Sequence, residues 1–214
     1  MTTALALLLV VIAGAGVATA GGIEGSVALR PPPALVEKPR YPTAATYEIG
    51  PPDPPVAVVW VDATPEAAAA DATPAEAVLA QEKYQFAPGV LAVRRGTSVA
   101  FPNRDDEYHS VFSYSKPKRF DLGRYARDET PATVTFDQPG VVQLFCEIHE
   151  HMRGTVVVVD TPWFARSDAE GRYRIDGLPP GTHTVHAWAG DDDVRTATVD
   201  VPEGGTARLD FPAP

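Results

Sequence analysis

Proline and glycine interrupt this chain so often, 22 and 17 times in 214 residues, that little room is left for long helices. Each proline removes a backbone donor and each glycine frees the chain to turn. The glycines lack the every-third period of collagen, so the breaks read as turns between short elements. Between them lie runs of β-branched and aromatic residues, such as Val56 to Val61 and Val141 to Cys146, whose composition suits buried strands. The chain is therefore expected to be all-β, and it is long enough for two small domains that each bury a core.

The first twenty residues carry no charge. Leu5 to Val17 is an apolar run of secretory type, followed by Ala18-Thr19-Ala20, a small-x-small cleavage pattern. Residues 1–20 are thus expected to be a cleaved signal peptide, with the mature chain beginning near Gly21 in the periplasm or outside the cell. The run falls short of the ~20 residues that a membrane span needs, and no later stretch could span. Eighteen basic and 28 acidic residues give a net charge of -10, which argues against a nucleic-acid partner. One cysteine excludes an internal disulfide framework, and a lone thiol in an oxidising compartment calls for a use.

Residues 21–80 read as N-terminal strands with a Pro/Ala-rich insertion associated with the β domains. Ile23 to Leu29 and Val56 to Val61 are the strands, and any short helix between Asp62 and Ala80 is expected after Pro74. Residues 81–160 form the first domain, with strands at Gln85 to Pro88, Val90 to Val93, Ser98 to Phe101, Pro131 to Phe136 and Val141 to Cys146. The last two flank Gln138-Pro139-Gly140 and read as a hairpin. Residues 161–214 form an independent small sandwich, with strands at Arg172 to Ile175, Thr182 to Trp188, Ala197 to Val201 and Ala207 to Phe211. Trp163-Phe164 is placed to cement the two domains.

The chemistry concentrates in Cys146-Glu147-Ile148-His149-Glu150-His151-Met152, with His109 upstream. A thiolate, imidazoles and a thioether form a soft-donor set suited to copper, and an electron-transfer copper takes one thiolate, two imidazoles and a weak axial thioether. The short run supplies three of the four, and His109 is the candidate for the second imidazole. Structural zinc sites pair several Cys or His ligands without methionine, and one cysteine suits them poorly. Taken one at a time, Cys146 and Met152 are ordinary core residues and His109 an ordinary loop residue. Asp105, Asp106 and Glu107 read as a solvated turn, with steering of a cationic partner as the functional option. Lys116, Lys118, Arg119, Arg124 and Arg127 are the candidates for steering an acidic one.

Cys146-Glu147-Ile148-His149 with Met152, together with Phe86-Ala87-Pro88, Val99 to Asp105, His109 to Ser113 and Lys118 to Gly123, resembles the cupredoxins, the blue-copper fold of plastocyanin and amicyanin. The resemblance is nearest to bacterial methylamine-utilisation or plastocyanin-like proteins, in which a cupredoxin is fused to a carboxypeptidase-regulatory-like domain. Asp168 to Trp188 is similar to such a domain. The resemblance implies a Greek-key cupredoxin β-sandwich followed by a small C-terminal β-sandwich. It implies one type 1 copper ion held by His109, Cys146 and His149, with Met152 as axial ligand. Two departures stand out. Ser110 replaces the asparagine that commonly ties the ligand loops together, which predicts a weaker brace, and His151 stands as a possible alternative fourth ligand.

The expected function is single-electron carriage between redox partners by a monomeric exported protein. A full donor set leaves no open position for substrate, and no catalytic motif stands out, so the chain is not expected to be an enzyme. Two alternatives remain at this level. One is copper handling in the envelope without electron transfer. The other is carbohydrate or protein binding by the C-terminal sandwich, which offers His183, His186 and Trp188. Strand alternation puts His186 and Trp188 on one face and His183 on the other, and Trp188 is expected to pack rather than to form a sugar platform.

Overall fold

The computed structural model describes residues 19–30, 49–50, 53–69, 75–129, 133–190 and 194–213. The expected signal peptide lies almost wholly outside them. In chain order the strands are β1 (Gly21–Ser26), β2 (Val58–Val61), β3 (Glu76–Val78), β4 (Ala80–Glu82), β5 (Gln85–Ala87), β6 (Val90–Arg94), β7 (Thr97–Ala100), β8 (His109–Ser113) and β9 (Phe120–Tyr125). They continue as β10 (Thr133–Phe136), β11 (Gly140–Phe145), β12 (Arg153–Val159), β13 (Phe164–Arg166), β14 (Arg172–Leu178), β15 (Gly181–Trp188), β16 (Val194–Val201) and β17 (Thr206–Arg208). One short helix, α1 (Pro65–Ala69), interrupts them. It precedes Pro74 rather than following it. Among the described residues no helix is long and apolar enough to cross a membrane.

The first sandwich packs a five-stranded sheet, β6-β12-β11-β8-β9, on a three-stranded one, β10-β7-β3. Alternating residues from both sheets, among them Phe101, Val111, Phe136, Val142, Leu144 and Val156, fill the core between them. The expected β10–β11 hairpin is corrected by this arrangement. β10 pairs with β7, whereas β11 pairs with β12 and β8. Val134 and Phe136 must face Val142 and Leu144 across the core, so Gln138-Pro139-Gly140 carries the chain from one sheet to the other. A separate hairpin, β4–β5, lies beside this sandwich and turns at Lys83-Tyr84.

The second sandwich packs β14-β1-β17 on β13-β2-β15-β16. Its core joins Ile23, Val27, Ala57, Val59 and Val61 to Tyr173, Ile175, Leu178, Val185 and Ala187. Residues 161–214 are therefore not independent: β1 sits at the centre of one sheet and β2 pairs with β15 in the other. The first sandwich is inserted between β2 and β13, which are themselves paired through Trp60 and Phe164. Outer faces of the two sandwiches meet through Val58, Val157, Val159 and Trp188, with Trp60, Val90, Ala92, Val141, Phe164 and Val194 around them. Trp188 thus packs between domains, and Phe164 contributes to the joint.

Candidate metal centre

One strand end and one loop deliver the donors. His109 opens β8, where its imidazole is fully buried. Cys146 follows β11 directly, and His149 and Met152 come from the short connection to β12. The ligand atoms of His109, Cys146 and His149 lie within 4.8 Å of one another. His109 Nδ1 is 3.0 Å from His149 Nδ1, which in turn is 3.8 Å from Cys146 Sγ. Met152 is 1% exposed, shares the apolar core with Cys146, and donates its amide to the His149 carbonyl at 2.9 Å.

The second nitrogen of His109 explains why the first is available. Nε2 lies 2.9 Å from Asp105 Oδ2, and an ionised carboxylate only accepts, so Nε2 carries the proton and Nδ1 keeps its lone pair. Asp105 is no solvated turn residue, since its side chain is only 12% exposed. It also accepts the amides of Lys83 at 2.7 Å and Tyr84 at 2.9 Å. Burial works against its ionisation, but these two amides and His109 hold its carboxyl below the usual carboxylate range. Asp106, by contrast, is exposed and paired with Arg127.

Ser110 ties the ligand loops together, contrary to the weaker brace expected of it. Its hydroxyl accepts the Glu147 amide at 2.8 Å and directs its own proton toward Cys146 Sγ at 3.9 Å. Burial opposes ionisation of Cys146, yet its interactions with the His109 and His149 imidazoles, with further hydrogen bonds at Ser110 and the His149 backbone, bring the thiol down to about 5. Burial likewise opposes protonation of His109, and the Cys146 thiolate and Asp105 more than offset it, so its pKa is raised. A thiolate at neutral pH beside two imidazole nitrogens is the state that a soft metal requires.

His151 is not one of the three converging donors, although its ring lies 6.0 Å from that of His149. Its Nε2 donates to the Tyr84 carbonyl at 3.0 Å, and burial lowers its pKa. The Tyr84 ring stands edge-on to His149 and His109, with centroids 5.2 and 5.7 Å away. Neither Tyr84 nor the bracing role of Asp105 was legible in the sequence. The only hint was a carboxylate four residues before the candidate ligand His109. The basic residues expected to steer a partner are largely engaged: Lys118 pairs with Asp137, Arg124 with Glu147 and Arg127 with Asp106.

A two-sheet β frame with one thiolate and two imidazoles converging at one end is of cupredoxin type. Residues 150–213 match the model of the carboxypeptidase regulatory-like domain family, so the chain joins a cupredoxin-type sandwich to a domain of that family. That match takes in β12, which belongs to the first sandwich, and omits β1 and β2, which complete the second. Among solved structures, a variant of amicyanin is 26% identical over 47% of this chain and 98% of its own, with a TM-score of 0.36. The Cu-containing nitrite reductase of Thermus scotoductus SA-01 is 27% identical over 40% of this chain, with a TM-score of 0.37. This chain spans only 22% of the reductase. A pseudoazurin from Sinorhizobium meliltoi is 22% identical over 41% of this chain and 76% of its own, with a TM-score of 0.34. No curated protein matches the chain.

Proposed function

We propose that this protein is an exported type 1 copper protein that carries single electrons between redox partners and is not an enzyme. The observation that carries the reading is the convergence of His109, Cys146 and His149 within 4.8 Å; Met152, buried in the same core as Cys146, would supply the fourth, thioether donor. Of the two candidates for that fourth position, Met152 is favoured because His151 spends its Nε2 on the Tyr84 carbonyl. Copper held by this set supplies a one-electron couple, since thiolate and imidazole suit both of its oxidation states.

The chain's own residues do the rest. Asp105 keeps the proton on His109 Nε2, so that Nδ1 stays a donor. Ser110 holds the ligand loop through the Glu147 amide and shares its proton with the sulfur, a contact that tunes potential. The donors sit in a closed β frame whose core is apolar, so little rearrangement accompanies electron passage. The leader pattern supports placement in the periplasm or outside the cell, and a redox protein is the partner this chemistry requires.

The test is an optical and EPR spectrum of the Cu(II)-loaded mature protein. A strong visible thiolate-to-copper band with reversible reduction is expected, and Cys146→Ser should abolish it while leaving a cooperatively folded β protein. Copper uptake without that band, or a band that survives Cys146→Ser, sinks the proposal.

A further inference from the structure

The β4–β5 hairpin contributes no donor to the metal centre, yet its turn is bound to the centre from three directions. The Asp105 carboxylate accepts both turn amides, Lys83 and Tyr84. From the other side His151 Nε2 donates to the Tyr84 carbonyl. The Tyr84 ring packs nearly perpendicular to both His109 and His149, at interplanar angles of 82° and 81°. Lys83 and Tyr84 adopt φ values of 54° and 59°, a left-handed conformation that residues other than glycine, asparagine and aspartate seldom take. Two-residue turns of this hand favour Asn-Gly, so a Lys-Tyr pair is a poor intrinsic choice. The clamp imposes the turn, and what it presents to the site is the tyrosine ring.

We infer that Tyr84 is a positioning residue for the donor pair His109 and His149, a fixed aromatic cap that holds the two imidazoles with their Nδ1 atoms together and keeps small external ligands off them. The inference rests on the copper reading of the same site. One carboxylate serves both the cap and a ligand: Asp105 binds the turn amides and His109 Nε2, so ring and imidazole are set in register by the same group. His151, the rival fourth donor in the sequence, is used instead to lock the cap from the far side.

The test compares Tyr84→Gly with Tyr84→Phe in the full mature chain. Glycine suits the left-handed position, so it removes the ring without straining the turn, while phenylalanine keeps the ring. With Cu(II) loaded, Tyr84→Gly should lose copper to EDTA at least ~10-fold faster, the size expected for loss of an outer-shell support, and should acquire an azide-dependent change in its EPR signal. Tyr84→Phe should behave as the native protein does. In the metal-free protein, NMR contacts between the His109 and His149 rings should be present in the native chain and in Tyr84→Phe, and lost in Tyr84→Gly. A Tyr84→Gly protein with native chelation rate and native contacts between the two imidazoles overturns the cap. A native protein lacking the thiolate-to-copper band overturns the copper reading alone, and the ring-contact measurement still decides the cap.

Discussion

At the residue scale the site is a contest between burial and hydrogen bonding, and hydrogen bonding wins. Cys146 is 4% exposed, which on its own would keep it a neutral thiol. The imidazoles and the Ser110 and His149 groups around it reverse this, bringing its pKa from 9.0 to about 5. A depressed folded-state pKa adds stability that is complete above the unfolded value and lost as pH falls through the folded one. The metal-free protein should therefore lose this contribution between pH 9.0 and about 5, and its thiolate absorbance in the ultraviolet should titrate near 5. His109→Ala should move that midpoint upward. A midpoint still near 9 in the native protein would mean that the imidazoles do not support the thiolate. Cys146, His149 and Met152 stood out as candidates in the sequence, because three soft donors packed into seven residues are rare by chance. Asp105 did not, since a carboxylate in an acidic turn looks the same whether it faces water or a buried imidazole.

Elements were legible where a local pattern decides them and obscure where packing does. β14 and β15 follow from alternation, and β2 from its β-branched run. β10 and β11 look like a hairpin locally, yet their side chains are needed on opposite walls of one core. β1 shows how tightly an element can be specified by its neighbours. It runs antiparallel to β14 and parallel to β17, and a Cβ placed on Gly25 would come within 1.8 Å of the Leu209 carbonyl oxygen. That neighbour is backbone and cannot swing aside. Gly25→Ala should thus destabilise the protein by about 1–3 kcal/mol, toward the upper end of the overpacking range. Thermal unfolding would measure the loss, and the visible copper spectrum of the folded variant should match the native one, because β1 lies in the other sandwich. An unchanged midpoint would show that β1 and the 209 segment separate at little cost.

At the scale of the whole molecule, the segment after residue 160 cannot make its sandwich alone. Ile23, Val27, Val59 and Val61 occupy its core, and β1 lies between β14 and β17. Deleting residues 21–61 should leave the carboxypeptidase-regulatory-like segment protease-sensitive although residues 150–213 are intact. The first sandwich should keep its copper band while exposing Val157 and Val159, which the second sandwich otherwise covers. A protease-resistant second half after that deletion would refute the discontinuous domain. The sequence by itself determined the β class, the division into two β units, and the short run that carries Cys146, His149 and Met152. Each of these is written in local composition or spacing. Only the tertiary structure decided that the N-terminal strands complete the C-terminal sandwich, that Asp105 and Tyr84 adjoin the His109–His149 pair, and that His151 Nε2 meets the Tyr84 carbonyl. Those facts depend on residues far apart in the chain meeting across a core or a turn, and strand patterns set which face of a strand is apolar without setting what that face meets.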